Sequence, residues 1–150
     1  MNQKRIALIT GGMGGIGTAI CKALINSGCI VTTTYSKPGK EIQWLSDMKE
    51  QGYTVHAYQC DVTNYDSCIT VVQQIIQKFD KVDILVNNAG IIMRKPMLEM
   101  EADEFRKVID VDLNAPFIVS KAVIPGMKEK GHGKIINICS MMSELGRETV

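Results

Sequence analysis

The stretch Thr10–Gly17, with the sequence TGGMGGIG, lies between a short apolar run and an amphipathic segment, and it decides the fold. The apolar run Ile6–Ile9 before it is continuous, as in a strand buried on both faces of a parallel sheet. After it, apolar residues recur at helical spacing as far as Leu24. Glycines in such a turn allow a sharp bend and let a phosphate approach the start of the helix. This context favours a nucleotide-binding turn over an ordinary glycine-rich turn.

Strand-like and helix-like segments alternate along the rest of the chain. Besides the first strand at 5–10, apolar or β-branched runs predict strands at 29–34, 53–58, 82–86 and 134–139. A long helix is predicted from about Ala102, with a kink at Pro116. Its candidate core positions are Phe105, Val108, Ile109, Val119 and Val123. Strands that alternate with helices require parallel pairing, so we predict an α/β fold with an open, doubly wound sheet.

Length, charge and composition exclude several classes of protein. The 150 residues suit a single domain, 1–150, and 45% hydrophobic residues are enough for a packed core and too many for a disordered chain. With 17 basic and 16 acidic residues, the net charge is +1. This balance argues against nucleic acid or an anionic membrane as a partner. No apolar run approaches the ~18 residues that a membrane-spanning helix needs.

The five cysteines are odd in number, and no two of them have Cys-x-x-Cys spacing. This pattern argues against a disulfide framework or a zinc site and favours buried thiols in a reducing compartment, so we expect a cytoplasmic location. His56 and His132 lie far apart without neighbouring ligands, and we predict no metal site.

Three further motifs occur at the ends of predicted strands. Asp61-Val62 follows the third strand, Asn87–Gly90 (NNAG) the fourth, and Lys134–Ser140 contains the fifth. Together with the glycine turn, they resemble the short-chain dehydrogenase/reductase family over the whole chain. Within that family, the first ninety residues look most like acetoacetyl-CoA reductases and the later part more like gluconate 5-dehydrogenases. The resemblance implies a three-layered Rossmann-type domain with five strands in the order 3-2-1-4-5.

The resemblance also implies a reaction, in which hydride passes between a nicotinamide and a carbonyl carbon, with Ser140 as the catalytic serine. The implied cofactor contacts are Gly11, Gly14, Gly15, Ile16, Gly17, Asp61, Val62, Asn88, Ala89 and Gly90. None of the four tyrosines is followed by a lysine four residues later, so none of them begins the family's catalytic Tyr-x-x-x-Lys motif. We therefore expect this motif to lie beyond Val150. The domain would then be incomplete at its C-terminal end, and we expect no turnover by the 150-residue chain. The alternative is a nucleotide-binding module without catalysis.

Asp112 stands where most members of the family have an asparagine that supports a proton relay. It lies three and seven residues from Ile109 and Phe105, on the apolar helix face. A carboxylate there needs a partner or a raised pKa. Asn114 is no substitute, because two residues along a helix correspond to about 200° of rotation. Two roles stay open for Asp112: a proton relay, or a polar residue bonded to backbone near the Pro116 kink.

The choice of nicotinamide depends on the end of the second strand. The segment Thr32–Lys40 contains no acidic residue to repel a 2′-phosphate, and it offers hydroxyls and two ammonium groups. We therefore predict NADP rather than NAD, with Tyr35, Lys37 and Lys40 as its contacts. The alternative is that both lysines are solvated surface charges.

Two arginines follow strands at the edge where ligands of such sheets bind. Arg94 and Arg147 would suit the carboxylate or CoA phosphate of a small-molecule substrate, and the alternative for each is a solvated loop arginine. We expect the complete enzyme to be a homo-oligomer, because relatives commonly pair through the helix that starts near Ala102.

Overall fold

The structure is a computed structural model that describes residues 4–140. The strands are β1 (Ile6–Ile9), β2 (Ile30–Tyr35), β3 (Val55–Gln59), β4 (Ile84–Asn87) and β5 (Lys134–Asn137). The helices are α1 (Gly15–Asn26), α2 (Lys40–Glu50), α3 (Tyr65–Phe79), α4 (Ala102–Ile109) and α5 (Ala115–Lys130). A 3₁₀ turn at Met97–Glu99 precedes α4, and a π-helical turn at Asp110–Asn114 joins α4 to α5.

The strands form one sheet in the order β3-β2-β1-β4-β5, and every pairing is parallel. β1 is central, with Leu8 paired to Thr32 on one side and Leu85 on the other. The predicted fold class and strand order are therefore confirmed. Parallel strands end at a common edge, so the glycine turn, Asp61 and the NNAG segment all follow strands at one edge of the sheet.

Some predicted strand bounds differ because helix ends extend towards the strands that follow. The Cys29 N–H donates to Leu24 O and the Tyr53 N–H donates to Met48 O, each at 3.0 Å or less. These bonds close the last turns of α1 and α2, with Gly28 and Gly52 in the left-handed conformation. The strands therefore begin only at Ile30 and Val55.

The sheet separates two hydrophobic clusters. Ile6 and Leu8 of β1 pack into the cluster that contains α3 and α5, whereas Ala7 and Ile9 pack into the cluster with α1 and α2. Alternate side chains of a strand point to opposite faces, so one continuous apolar run serves both cores. The result is the predicted three-layer arrangement.

The predicted core of the long helix is correct in its second half only. Val119 and Val123 are buried, but Phe105 is 56% exposed, so its assignment to the core is wrong. The predicted kink at Pro116 stays a prediction, and the structure has a π-helical turn, Asp110–Asn114, just before this proline. Proline has no N–H for the carbonyl four residues earlier, and its ring would collide with that carbonyl, which here belongs to Asp112. Within residues 4–140, no helix is long and apolar enough to cross a membrane.

The sheet edge opposite the glycine turn is held by the buried carboxylate of Asp83. It accepts hydrogen bonds from Ile6 N–H at 2.7 Å and His132 Nε2 at 2.8 Å, and Lys81 Nζ lies 3.1 Å away. Burial acts to raise the pKa of Asp83, but these hydrogen bonds and the lysine charge outweigh burial and hold the pKa below its ordinary value. One carboxylate thus ties β1, β4 and the turn before β5.

Candidate functional site

The glycine turn is held in a shape that larger residues would not adopt. Gly11 has φ +63°, and a Cβ there would lie 3.0 Å from the Cα of Ala89. A Cβ on Gly17 would lie 2.6 Å from Gly11 O. A Cβ on Gly15, by contrast, would meet nothing within 4 Å. Gly11 and Gly17 are therefore required by packing, whereas Gly15 faces open space at the start of α1.

Among residues 4–140, no side chain caps the backbone N–H groups at the start of α1. Gly14 is the N-cap residue, and its lack of a side chain leaves the first N–H groups uncapped. No acidic residue occurs in the first turn, and Ile16 is 66% exposed. An uncapped helix N-terminus beside an open glycine suits an anion such as a pyrophosphate. The residues present therefore fit the phosphates of a dinucleotide.

Thr10 and Asn88 lock the glycine turn to the NNAG segment. Thr10 Oγ1 accepts hydrogen bonds from the N–H groups of Asn88 and Ala89, both at 3.0 Å. The Asn88 amide in turn donates to Thr10 O and Gly11 O at 3.0 Å. The side chain of Asn88 is thus used to position the turn. Sequence analysis missed this role of Thr10, although a polar residue closing an apolar strand was the available signal.

The threonines of β2 hold the same turn from the other side. Thr33 Oγ1 donates to Ile9 O and accepts from Gly12 N–H, both at 2.9 Å. Thr34 Oγ1 accepts from Gly11 N–H at 3.3 Å, and Thr32 Oγ1 donates to Ala7 O. All three are buried. The expectation that their hydroxyls are available to a 2′-phosphate is therefore wrong, because the hydroxyls are turned inward to β1.

Tyr35, Lys37 and Lys40 lie beyond the end of β2, at the edge that carries the glycine turn. Both lysines are exposed and Tyr35 is half-buried. Within the described part of the chain, neither ammonium group takes part in a salt bridge. The structure therefore leaves two cations available next to the site predicted for a ribose 2′-phosphate.

Asp61 and Val62 form a short turn between β3 and α3. Asp61 Oδ1 accepts hydrogen bonds from the N–H and hydroxyl of Thr63, at 3.0 and 2.6 Å. Asp61 is exposed, and Val62 is half-buried against the cluster under α3. An exposed carboxylate beside an apolar side chain is suited to the edge and face of a purine base. The turn lies at the same edge of the sheet as the glycine turn.

A cavity of about 640 Å³ lies beyond the end of β4. Its polar lining residues are Lys95, Asp112 and Ser140, and its apolar lining residues are Ile91, Ile92, Met93, Met97, Met100, Phe105 and Val108. The exposed Phe105 is thus a wall of this cavity. An apolar cavity with a few polar groups is typical of a small-molecule site.

Lys95, a residue that sequence analysis missed, is the cation that the described residues contribute to the cavity. Its Nζ contacts both carboxylate oxygens of Glu104, at 2.6 and 2.7 Å. The Glu101 N–H donates to the same carboxylate at the start of α4, so the position of Glu104 is fixed. Arg94 is exposed and does not line the cavity, and Arg147 lies outside the described residues.

Asp112 accepts a hydrogen bond from the Ile91 N–H at 2.8 Å, so the expected backbone partner is present. A Cβ on Gly90 would lie 3.4 Å from Asp112 Oδ1, which brings the NNAG segment against this carboxylate. Asp112 is exposed towards the cavity and not buried in the core, which corrects the inward position expected for it. Asn114 instead donates to Asp110 Oδ1 at 2.9 Å, away from this group.

The remaining candidate ligand residues do not come together. Within residues 4–140, no group of three or more His, Cys, Asp or Glu side chains could hold a metal ion. His56 contacts Lys78 Nζ at 3.3 Å, whereas His132 contacts Asp83 on the opposite edge of the sheet from the glycine turn.

The fold and this edge define a Rossmann-type protein with a nucleotide-binding turn and a small-molecule cavity beside it. The family model "short chain dehydrogenase" matches residues 5–150, and the chain belongs to that family.

The curated relatives include gluconate-type dehydrogenases and acetoacetyl-CoA reductases. The chain is 44% identical to 2-dehydro-3-deoxy-D-gluconate 5-dehydrogenase of Formosa agariphila, covering 97% of this chain and 56% of the relative. It is 39% identical to acetoacetyl-CoA reductase of Allochromatium vinosum, covering 95% of this chain and 59% of the relative. The chain therefore spans a little more than half the length of these curated relatives.

Solved structures agree with the first of these names. The 2-keto-3-deoxy-D-gluconate dehydrogenase of Streptococcus agalactiae is 55% identical, with TM-score 0.83, covering 99% of this chain and 56% of that one. A gluconate 5-dehydrogenase of Burkholderia cenocepacia, in complex with NADP and tartrate, is 34% identical, with TM-score 0.87, covering 97% of this chain and 57% of that one.

Proposed function

We propose that this chain binds NADP and that the protein to which it belongs oxidises or reduces a sugar acid at a secondary alcohol or ketone. The observation that carries the proposal is the open, uncapped helix N-terminus at Gly15, next to a cavity that contains Ser140 and Lys95. The first feature suits a pyrophosphate and the second a small polar substrate. The gluconate-type relatives support the choice of substrate class.

The nucleotide half of the site is divided among three strand ends. The N-terminus of α1 binds the pyrophosphate, and the Asp61–Val62 turn binds the adenine. Lys37 and Lys40 bind the 2′-phosphate, with Tyr35 beside them. Their positive charge, which no salt bridge among the described residues neutralises, favours NADP over NAD.

The substrate half of the site lies in the cavity. The bound nicotinamide supplies or accepts the hydride. Ser140 hydrogen-bonds the reacting oxygen, and Lys95 binds the substrate carboxylate in place of Glu104. Asp112 holds the Ile91 N–H and thereby the floor of the cavity, and it takes part in proton transfer.

An acyl-CoA is the second candidate substrate. Arg94 is exposed next to the cavity on the loop that carries Lys95, where it would suit a CoA phosphate. The acetoacetyl-CoA reductase of Allochromatium vinosum supports this candidate. A nucleotide-binding module without catalysis is the alternative, and in that case Asp112 only accepts the hydrogen bond from the Ile91 N–H and takes no part in proton transfer.

We further propose that the complete protein is a cytoplasmic homo-oligomer. Large apolar side chains outside the cavity are exposed on the π-helical turn and α5, at Leu113, Phe117 and Ile124. Such a row suits association of identical helices. The five free cysteines support a reducing compartment.

Calorimetric titration of the chain with two nucleotide fragments tests the proposal. We expect 2′,5′-ADP to bind about tenfold more tightly than 5′-ADP, because only the former carries the 2′-phosphate. A hydride-transfer assay of the protein in its longest natural form, with gluconate-type sugar acids and acetoacetyl-CoA, then separates the two substrates. Failure of both fragments to bind would refute nucleotide binding, and equal affinities would refute the preference for NADP.

A further inference from the structure

Two buried thiols lie against the Asp61–Val62 turn, and the functions proposed above do not use them. Cys60 and Cys68 are 4% and 2% exposed, and their Sγ atoms are 3.9 Å apart. Cys60 follows β3 directly, whereas Cys68 lies in the first turn of α3. The two sulfur atoms therefore join the end of a strand to the start of the next helix.

We propose that Cys60 and Cys68 form a redox site, in which a peroxide converts the dithiol into a disulfide that reshapes the Asp61–Val62 turn and weakens nucleotide binding. The effect on binding rests on the proposed adenine contact at this turn, but formation of the disulfide does not. A disulfide requires an S–S length of about 2.05 Å, so the sulfur atoms need to approach by about 2 Å.

The surroundings of Cys60 suit a nucleophilic thiolate. Ser67 Oγ lies 3.7 Å from Cys60 Sγ, and Cys68 lies on its other side. The hydrogen-bond contact between the two thiols outweighs burial and, together with Ser67, lowers the pKa of Cys60 below its ordinary value. Both thiols also lie beside the N-terminus of α3, where a helix favours negative charge. Asp61, next to the two thiols, is exposed, and Ser67 is half-buried. The sulfur atoms therefore lie just beneath the surface.

The reaction needs only the peroxide as oxidant. The Cys60 thiolate attacks a peroxide oxygen, the O–O bond breaks, and the leaving oxygen takes a proton, which leaves a sulfenic acid on Cys60. Cys68 sulfur then attacks Cys60 sulfur, the S–O bond breaks, and hydroxide leaves with the Cys68 proton as water. Two thiols have lost two electrons and two protons, and hydrogen peroxide has become two waters.

Formation of the disulfide affects the Asp61–Val62 turn because, in the reduced protein, the Cys68 thiol contacts the backbone of this turn. The Cys68 thiol is 3.7 Å from Asp61 O and 3.6 Å from Val62 O, within hydrogen-bond reach of both carbonyls. Oxidation removes the hydrogen of this donor and pulls Cys60 towards α3. The two residues proposed to contact adenine are thus the ones whose backbone is released.

Mass spectrometry of the folded chain tests the disulfide directly. The tryptic peptide Glu50–Lys78 contains Cys60 and Cys68 and no other cysteine. The test uses C139S as background, because Cys139 is exposed and would couple separate molecules. After treatment with hydrogen peroxide and alkylation, we expect this peptide to be lighter by two hydrogen atoms and unalkylated. Dithiothreitol should restore both thiols.

Variants and a binding measurement complete the test. C68S should retain a sulfenic acid on Cys60 that dimedone traps, whereas C60S should give neither product. We expect oxidation to weaken 2′,5′-ADP binding roughly tenfold in the C139S chain. The affinity of C68S for 2′,5′-ADP should be the same before and after oxidation. A peptide that keeps both hydrogens overturns the redox site, and a disulfide without change in affinity overturns the switch. A reduced chain that binds no nucleotide refutes the switch and the proposed function, whereas binding without disulfide formation refutes the redox site alone.

Discussion

Asn88 donates two hydrogen bonds to Thr10, 78 positions away in the chain: its N–H donates to Thr10 Oγ1 and its side-chain amide donates to Thr10 O, each at 3.0 Å. The pair joins the ends of β1 and β4, which are neighbours in the sheet. It therefore fixes the glycine turn relative to the loop that forms the floor of the cavity.

Removing the hydroxyl in Thr10→Val should lower the free energy of unfolding by about 1–3 kcal/mol, because the N–H groups of Asn88 and Ala89 lose their acceptor. Thr10→Ser keeps the oxygen and is the matched control, with a smaller loss expected. Urea denaturation of both variants provides the measurement. Thr10→Ser loses the methyl group and keeps the hydroxyl, so a loss in Thr10→Val that is no larger than the loss in Thr10→Ser would contradict a dominant role for these hydrogen bonds.

Two glycines of the turn should respond differently to alanine. Gly17→Ala should destabilise the fold by about 1–3 kcal/mol, because its Cβ would lie 2.6 Å from Gly11 O. Gly15→Ala should keep or raise stability by up to about 1 kcal/mol, since its Cβ meets open space within a helix. Gly15→Ala should nevertheless weaken 2′,5′-ADP binding if phosphates occupy that space. Thermal unfolding and calorimetry on the same samples separate the two effects, and unchanged affinity in Gly15→Ala would contradict the phosphate site.

The double variant Lys37→Ala/Lys40→Ala should weaken NADPH binding by about 1–3 kcal/mol more than NADH binding, because only NADPH offers a 2′-phosphate to the two ammonium groups. Lys128→Ala on α5 is a control for loss of charge elsewhere. Fluorescence titration with both nucleotides measures the difference. The assignment of these lysines is incorrect if both nucleotides lose the same affinity.

Asp83 should make stability dependent on pH in the acid range. Its folded-state pKa lies below the unfolded-state value of about 3.9, so its contribution is complete above that value and is lost as the pH falls through the folded-state pKa. Asp83→Asn should lower the free energy of unfolding by about 1–3 kcal/mol at neutral pH and flatten this acid dependence. Asp80→Asn is a matched control at an exposed, left-handed position paired to Lys130. Urea unfolding between about pH 2 and 6 provides the measurement. If the free energy of unfolding of Asp83→Asn falls with acid as steeply as that of the unchanged chain, Asp83 is not the origin of the acid dependence.

Lys95→Met should weaken binding of D-gluconate in the presence of NADP by about tenfold, because the cavity loses its cation. Arg94→Met, the neighbouring substitution at an exposed position, should have a smaller effect. Calorimetric titration of the unchanged chain and both variants with D-gluconate, in the presence of NADP, provides the measurement. A larger loss in Arg94→Met would instead favour Arg94 as the residue that binds the substrate anion.

The glycine turn, the parallel sheet and the strand order follow from short segments of sequence. Continuous apolar runs such as Ile6–Ile9 indicate strands buried on both faces, and the glycine spacing indicates a turn that no side chain fills. These properties depend on residues close together in the chain. The strand order follows from the family resemblance, and the structure confirms it.

Side-chain direction depended on tertiary contacts that no local pattern contains. The hydroxyls of Thr33 and Thr34 face the glycine turn only because β2 lies beside β1, so they are unavailable to a nucleotide. Phe105 has helical spacing typical of a core residue, yet it lines a cavity because the loop at 91–100 lies over it. Lys95, and not Arg94, contacts the cavity because the carboxylate of Glu104 holds it there. Local sequence patterns therefore determined the path of the backbone. Residues distant in the chain decided which way each side chain points, since burial and hydrogen bonding depend on neighbours in space.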